Sequence, residues 1–393
     1  MISSTVWIAG IGAVSAAGDN IRSTLDAFAS GRRNPIDALP FQSTVACPTF
    51  QVSADLPTLP DRFNSSRTLR LAMHAASEAL ANAGLEGVGP PMRVGVCLGT
   101  TVACQLNSVE FYDSYRRGAE PNLDPVRNYL QTNLAAAVAK LLNARGPRMT
   151  VVNACSSGTD AIGAAATWIR AGLCDIAIAG GADELHRVPL AGFWSLGVMS
   201  AQPCAPFDRD RSGLNLGEGA GIVVLESDAH ARARGRKNGF AVAGFGMACD
   251  GHHLTAPHPE GRGLHSAIRT ALDQAGIAPP QIAFINAHGT ATLDNDKAEG
   301  KVLGHIFGGD VKFLSTKGYT GHTLGAAGGL EAVFTLLGLH EGWVPPSAGF
   351  ENPADDIPVS PLHSAAAVSG QFALSTSLAF GGNNAALIIG RHD

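Results

Sequence analysis

The chain has 393 residues, of which 45% are hydrophobic and 16% are charged. This composition is typical of a globular protein with enough apolar material for a large core or for two domain-sized units packed together. The formal net charge of -5 provides no basic field that attracts nucleic acid or anionic lipid, so any acidic partner has to meet a local basic patch.

The N-terminal stretch MISSTVWIAGIGAVSAAG lacks a basic leader segment and a long apolar core, and no apolar run in the chain approaches roughly eighteen residues. We therefore expect a cytoplasmic protein. The seven cysteines contain no CxxC pair, and they fit neither a disulfide framework nor a cysteine-rich zinc site. Most of them are expected to be small buried apolar side chains.

Short β-rich apolar runs alternate with alanine-rich stretches along the first part of the chain. Strands are predicted for TVWIAGIGAV, RVGVCLGT, MTVVNA and CDIAIAGGAD, and helices for TLRLAMHAASEALANAG, YLQTNLAAAVAKLLNARG and GTDAIGAAATWIRAG. This alternation indicates an α/β fold with buried strands.

A second series of the same kind follows GEGAGIVVLES. Its predicted strands are AVAGFGMACD, IAFINAHGT, VKFLSTKG and ALSTSLAFGGNNAALIIG, and its predicted helices are GLHSAIRTALDQAG, KAEGKVLGHIF and GAAGGLEAVFTLLGLHEG. In each series one strand ends in a short polar segment before a small-residue helix, as in VVNACSSGTDAIGAAA and FLSTKGYTGHTLGAAGGLEAV. We infer a duplicated design with halves at residues 1–240 and 241–393.

Cys155 lies where the strand MTVVNA is predicted to turn into a helix. The positive end of a helix dipole at that junction favours the thiolate, and nearby backbone N–H groups can hold an oxyanion. The alternative is an inert buried cysteine at a tight turn.

His288 follows another apolar strand in FINAHGTATLDND, and the glycine after it allows close approach to a cleft. Thr290 and Thr292 can donate hydrogen bonds to an amide-rich ligand arm. A lone histidine at such a place is more often structural, so this residue gains weight only together with the others.

In STKGYTGHTLGAAGGLEAV, Lys317 and His322 flank two glycines that allow the loop to bend so that both side chains converge. A buried lysine requires an anionic partner, and Glu331 on the following helix can supply it. In STSLAFGGNNAALII, Phe380 precedes a glycine pair that can bring backbone N–H groups close to a substrate, although a plain hairpin turn has the same pattern.

Together these segments resemble the thiolase-like condensing enzymes, specifically the elongating β-ketoacyl-[acyl-carrier-protein] synthases of the KAS I and KAS II type. The resemblance runs nearly end to end, from VWIAGIGAVSAAG through PFDRDRSGLNLGEGAG to FGGNNAALII. The KAS III initiators and chalcone synthases carry Cys, His and Asn, so the second histidine argues against them. Chain-length factors and decarboxylating loading partners lack the cysteine that this chain has.

The resemblance implies a thiolase-like α/β fold, with two duplicated βαβ-rich halves in a layered αβαβα arrangement. The first half carries the cysteine, and the second carries the two histidines and the lysine. Cys155 would accept an acyl group from the phosphopantetheine of an acyl carrier protein, and the enzyme itself would hold no cofactor and no metal.

The same resemblance implies roles for the other residues. His288 and His322 would donate hydrogen bonds to the malonyl thioester oxygen during decarboxylation. The amides of Cys155 and Phe380 would bind the oxyanion of acyl transfer. Lys317, held by Glu331, would give His322 structural and electrostatic support and would not carry a proton.

Thr290 and Thr292 match the family's contacts to pantetheine, and Phe380 matches its gating phenylalanine. The loop reads Ala379-Phe380-Gly381-Gly382 where the family commonly has Gly-Phe-Gly-Gly, so we expect a stiffer gate. The sequence NACSSG also departs from the common TACATG pattern.

Because carrier proteins are acidic, we expect basic residues at the entrance. The candidates are Arg67, Arg70, Arg209 and Arg211. Family members are obligate homodimers whose acyl pocket runs toward the interface. Residues 104–122, with Tyr112 and Tyr115, correspond to the far end of that pocket, but exposed interface tyrosines would give the same sequence.

The expected function is therefore two-carbon chain extension in fatty-acid, type II polyketide or aryl-polyene synthesis, with discrete partners because the chain carries no appended domain. A non-catalytic partner subunit that sets chain length is the alternative. A degradative thiolase would need a second cysteine near the C-terminus, whereas the last cysteine is Cys249. Acyl preference stays open, as does the choice between a homodimer and a heterodimer with a homologue.

Overall fold

The computed structural model describes residues 5–60, 63, 66–85, 93–101, 109–236 and 238–392. The strands of the first half are β1 (Val6–Ser15), β2 (Val94–Gly99), β3 (Arg148–Val151), β4 (Ile176–Asp183) and β5 (Gly219–Ser227). Its helices are α1 (Ile21–Ser30), α2 (Arg67–Ala83), α3 (Val109–Arg116), α4 (Asp124–Gln131), α5 (Leu134–Leu141), α6 (Ser157–Arg170), α7 (Arg187–Ser195) and α8 (Asp228–Ala233).

The second half has a similar succession of elements. Its strands are β6 (Gly239–Cys249), β7 (Ile282–Asn286), β8 (Phe313–Leu314), β9 (Trp343–Val344), β10 (Ala366–Ala367), β11 (Phe372–Leu378) and β12 (Asn383–His392). Its helices are α9 (Arg262–Ala275), α10 (Leu293–Phe307), the short α11 (Lys317–Thr320) and α12 (Ala327–Glu341). Among the helices in the described ranges, none is long and apolar enough to cross a membrane.

Ten strands form one sheet in the order β3-β2-β4-β5-β1-β6-β12-β11-β7-β8. The antiparallel contact between β1 and β6 lies at its centre. Outward from that contact, both sides have the same succession of two antiparallel pairs followed by two parallel pairs. The expected duplication is therefore present in the topology.

The helices form layers around the two half-sheets. Helix α2 packs on β1 and β5, α9 packs on β6 and β12, and α6 and α12 lie between the halves and contact strands of both. Every residue of α12 from Ala327 to Leu339 is buried, as expected for a helix surrounded by protein on all sides. This is the layered αβαβα arrangement that the resemblance to the condensing enzymes implies.

Glycines allow the two central helices to approach very closely. A Cβ atom on Gly158 of α6 would lie 2.6 Å from the backbone nitrogen of Gly329, and one on Gly328 of α12 would lie 2.0 Å from Oγ1 of Thr159. No side chain larger than hydrogen fits at these positions without displacing backbone. The contact brings the turn before α6 next to the segment before α12.

The stretch YLQTNLAAAVAKLLNARG is not the single helix that its composition predicts. It contains the end of α4 and the separate helix α5, which begins after Asn133. The Asn133 side chain accepts a hydrogen bond from the amide of Ala136 at 3.0 Å. This N-cap favours a new helix start over continuation.

Candidate active site

Cys155 lies in the turn between β3 and α6. The turn contains Ala154 at φ 49°, a left-handed conformation that costs a residue with a Cβ atom about 1–2 kcal/mol. Ser157 closes the turn, because its hydroxyl accepts from the Asn153 amide at 2.8 Å and donates to the Ala154 carbonyl at 2.6 Å. The thiol is thereby presented at the start of α6, as the sequence pattern suggests.

His322 contacts the thiol directly, with Nε2 3.1 Å from Sγ of Cys155. The Leu324 amide donates to Nδ1 of His322 at 3.3 Å. Because an amide N–H only donates, Nδ1 accepts and the proton of the neutral ring resides on Nε2. His322 therefore points an N–H donor at the sulfur. Leu324 adopts φ 54° to make this contact.

His288 is held by Lys317, whose Nζ lies 3.0 Å from Nδ1 of His288 and 2.6 Å from its carbonyl oxygen. The ammonium only donates, so His288 also carries its proton on Nε2. Lys317 forms a buried ion pair with Glu331. The rings of His288 and His322 have centroids 5.2 Å apart and are nearly perpendicular.

Lys317 donates hydrogen bonds to His288, and its charge also lowers the pKa of His322. Strands β7 and β8 are parallel neighbours, and the residues that follow their carboxyl ends therefore meet at one edge of the sheet. Lys317 and His288 follow these two strands, whereas His322 lies beyond a further bend at Gly321, which has φ 64°.

Burial controls the protonation of the site. It raises the pKa of the Cys155 thiol to about 12, although the charge of Lys317 and the amide of Phe380 act in the opposite direction. Desolvation therefore disfavours the thiolate more than the neighbouring groups favour it. Burial, followed by the charge of Lys317, lowers the pKa of His288 and His322 well below the ordinary value.

A cavity of about 250 Å³ leads to the thiol. Its wall includes Cys155, His288, His322, Thr290, Thr292 and Phe380. The hydroxyls of Thr290 and Thr292 lie 2.8 Å apart. The ring of Phe193, from α7, stacks on that of Phe380 with centroids 5.3 Å apart.

The segment Ala379-Phe380-Gly381-Gly382, here called the gate loop, joins the antiparallel strands β11 and β12. The loop is therefore the hairpin turn that its sequence allows. Ala379 and Phe380 also line the cavity. Gly381 and Gly382 have φ values of 89° and 80°. The Phe380 amide lowers the pKa of the Cys155 thiol, against the larger effect of burial.

Comparisons with known proteins agree with this geometry. The family models "Beta-ketoacyl synthase, N-terminal domain" and "Beta-ketoacyl synthase, C-terminal domain" match residues 3–231 and 240–351. The chain belongs to the β-ketoacyl synthase family. This synthase is 38% identical to 3-oxoacyl-[acyl-carrier-protein] synthase 2 of Rhizobium meliloti (strain 1021), over 82% of its own length and 80% of that protein.

Solved structures give the same result. The ishigamide ketosynthase/chain length factor matches with a TM-score of 0.91 and 31% identity over 99% of both chains. A ketosynthase in complex with its chain length factor from Xenorhabdus doucetiae matches with a TM-score of 0.85 and 32% identity, over 99% of this synthase and 98% of that chain. The thiolase-like fold is confirmed, and the synthase is a condensing acyltransferase.

All four arginines expected at the carrier entrance have partners within the synthase. Arg67 pairs with the buried carboxylate of Glu218 at 2.6 Å, and Arg70 donates to backbone carbonyls of the segment before α2. The side chain of Arg211 is only 2% exposed and pairs with an aspartate. Arg209 forms an exposed ion pair with its neighbour Asp210 at 3.8 Å, and 56% of its side chain is exposed. It is the candidate of these four that best fits a surface contact.

The region expected to shape the far end of the acyl pocket is described only from residue 109 onward, so residues 104–108 lie outside the described ranges. Tyr112 and Tyr115 lie on α3 and are 56% and 66% exposed. Tyr115 stacks on Phe111 with ring centroids 6.3 Å apart. Both are surface tyrosines in the single chain, which is compatible with a place at the end of the pocket and with a place at a dimer interface.

Sequence reasoning missed two buried carboxylates that shape the site. Glu299 on α10 accepts from the amides of His288 and Gly289, each at 2.8 Å, and from the Thr376 hydroxyl at 2.7 Å. Asp183 at the end of β4 accepts from Gly325 in the segment after His322 at 2.7 Å. The sequence feature that could have indicated Glu299 is an acidic residue on the helix that follows His288.

Proposed function

We propose that the protein catalyses decarboxylative condensation between an acyl group on Cys155 and malonyl-[acyl-carrier-protein]. The observation that carries this proposal is the meeting of one thiol, two Nε2–H imidazoles and the Phe380 amide in a single cavity. A chain-length-setting partner without activity has no need of this arrangement.

In the first half-reaction, the sulfur of Cys155 attacks the carbonyl carbon of the acyl thioester. The amides of Cys155 and Phe380 receive the oxyanion, the bond to the pantetheine sulfur breaks, and that sulfur leaves with the thiol proton. Each well-placed amide contributes about 3–4 kcal/mol to such a transition state. The His322 N–H stabilises the sulfur as it develops negative charge.

In the second half-reaction, the bond between the malonyl carboxylate and its methylene carbon breaks. Carbon dioxide leaves, and the electron pair forms an enolate whose oxygen accepts hydrogen bonds from Nε2–H of His288 and His322. The enolate carbon then attacks the acyl thioester, and Cys155 leaves as its thiolate, which takes up a proton from water to restore the thiol. Lys317 and Glu331 keep His288 oriented, while Thr290 and Thr292 contact the pantetheine arm.

The partner in both half-reactions is an acyl carrier protein, and the exposed side chain of Arg209 is the proposed contact for its acidic surface. Relatives named 3-oxoacyl-[acyl-carrier-protein] synthase 2 and neighbours described as ketosynthases with chain length factors support chain extension in fatty-acid or type II polyketide synthesis. We also propose a cytoplasmic location and a dimer, formed with a second copy or with a homologous chain length factor.

The two half-reactions can be tested separately. The purified protein should release CO2 from malonyl-carrier protein without an acyl donor. His288→Ala and His322→Ala should each lower that release by about a hundredfold, the order of a lost oxyanion donor. Cys155→Ala should retain release and lose acylation. Equal loss of both reactions in all three variants would overturn the assignment of roles.

A further inference from the structure

The two amides assigned to the oxyanion site belong to different halves of the molecule. Cys155 precedes α6 in the first half, and Phe380 lies in the gate loop between β11 and β12 in the second. Residues 153–156, which carry Cys155 between β3 and α6, are here called the nucleophile turn. The spacing of the two amides therefore depends on noncovalent contacts between the nucleophile turn and the gate loop. One buried side chain accepts hydrogen bonds from the nucleophile turn and from the residue directly after the gate loop.

That side chain is Asp160, which lies on α6 and is 6% exposed. Its Oδ2 accepts from Nδ2 of Asn153 at 2.7 Å, from Oγ of Ser156 at 2.8 Å and from Nδ2 of Asn383 at 3.0 Å. Nδ2 of Asn383 also donates a hydrogen bond to Oγ of Ser156 at 2.7 Å. We call these four residues the latch. Two of them flank the Ala154-Cys155 dipeptide on either side.

Asn383 follows the gate loop directly, and its carbonyl accepts from the Ala379 amide at 2.8 Å. Its side chain thus ties the end of the loop to the nucleophile turn. On the other side, the Gly381 amide donates to the Leu254 carbonyl at 2.7 Å. The gate loop is therefore held between the latch and the segment that follows β6.

We propose that Asp160 is a positioning residue that, through Asn383, sets the separation of the Cys155 and Phe380 amides. This inference rests on the proposed function. The hydrogen bonds of the latch join the nucleophile turn to Asn383, and none of them involves His288 or His322. The latch consequently serves the oxyanion of acyl transfer and is dispensable for the enolate of decarboxylation.

The hydrogen bonds indicate that Asp160 acts as an acceptor. All three donors converge on Oδ2, and Oδ1 is buried with no hydrogen-bond partner among the described residues. An asparagine can place its oxygen at Oδ2 and its NH2 group at Oδ1, which preserves the three contacts. A leucine of similar shape removes them all.

The test compares Asp160→Leu, Asn383→Ala and Asp160→Asn with the unsubstituted enzyme. Acylation of Cys155 by acyl-carrier protein is followed by rapid-quench intact mass, and CO2 release from malonyl-carrier protein is followed separately. We expect Asp160→Leu and Asn383→Ala to slow acylation by at least about tenfold, against the 10²–10³-fold limit for a lost donor. Release should stay within about twofold, and Asp160→Asn should acylate within about threefold of normal.

Glu184→Gln is the matched control, because Glu184 is a buried carboxylate that contacts Thr68 at the start of α2, away from the gate loop. It should alter neither rate. If Asp160→Leu does not fold, the partly exposed Asn383 carries the test. Equal falls of acylation and release, or normal acylation in Asn383→Ala, would overturn the proposal. An unsubstituted enzyme that performs neither reaction would instead overturn the proposed function.

Discussion

The neutral state of His288 and His322 is the residue-level property on which enolate stabilisation depends. Burial and the nearby Lys317 ammonium lower the pKa of both rings well below the ordinary value. Each ring thus keeps Nδ1 as an acceptor and Nε2–H as a donor when the pH falls. Lys317 Nζ and the Leu324 amide donate to Nδ1 of His288 and His322, respectively, so both rings carry their proton on Nε2.

The pH dependence of decarboxylation follows from these lowered pKa values. Because the folded pKa of each ring lies well below the ordinary histidine value of about 6.5, lowering the pH from about 8 to 6 leaves both rings neutral. The Cys155→Ala variant isolates decarboxylation from acylation. We expect its rate of CO2 release from malonyl-carrier protein to stay constant over that pH range. A loss of half the rate near pH 6.5 would show that the rings titrate normally.

Glu331 compensates the charge of Lys317 in the interior. Replacing it with leucine leaves an ammonium buried without its partner, which costs about 3–5 kcal/mol. We expect Glu331→Leu to lower the free energy of unfolding by that amount in urea titrations. The double variant Lys317→Met/Glu331→Leu should recover part of the loss. A Glu331→Leu variant with the same free energy of unfolding as the unsubstituted protein would contradict the claim that Glu331 compensates the charge of Lys317.

At the scale of elements, the close contact of α6 and α12 sets the position of Cys155 relative to His322. Gly328 sits where a Cβ atom would meet the backbone nitrogen of Thr159 at 2.6 Å. Gly328→Ala should force the helices apart and cost about 1–3 kcal/mol, the range for overpacking. Gly192→Ala on α7 is the control, since no atom lies within 4 Å of its added Cβ.

The outcome is read from thermal unfolding and acylation rate together. Gly328→Ala should lower both, because a wider helix spacing moves the sulfur away from the His322 N–H. Gly192→Ala should be neutral or slightly stabilising, since alanine favours a helix over glycine by about 1 kcal/mol. A Gly328→Ala variant as stable and as active as the parent would show that the helices need no such contact.

Most elements could be predicted from periodicity, and the motifs around Cys155, His288, Lys317 and His322 indicated the site. Contacts between distant segments could not be predicted that way. The Lys317–His288 hydrogen bond depends on the pairing of β7 with β8. Likewise, Asp160 and Asn383 lie in different halves, and only the folded chain brings their side chains together.

At the scale of the whole molecule, β3 forms one edge of the sheet and pairs only with β2 among the described strands. Met149 and Val152 at this edge are 38% and 65% exposed. An exposed edge strand with apolar side chains is a template for pairing with another chain. This edge is therefore the place where the proposed dimer would form.

Val152→Asp should weaken self-association, because a carboxylate at the interface requires desolvation. Sedimentation analysis should show a shift from dimer to monomer at micromolar concentration. Met247→Asp is the control, since Met247 is 53% exposed on β6 at the centre of the sheet. If the unsubstituted protein is a monomer on its own, a mixture with a homologous chain length factor should produce the dimer.

Intact-mass analysis of the protein incubated with acyl-carrier proteins of several classes tests the account most directly. The panel includes short saturated, long saturated, unsaturated and aryl chains, and malonyl-carrier protein is then added. The account predicts that one class adds its acyl mass at Cys155 and that a β-ketoacyl product two carbons longer than the donor then appears on the carrier. A protein that gains no mass and releases no CO2, alone and with a homologous partner, would contradict it.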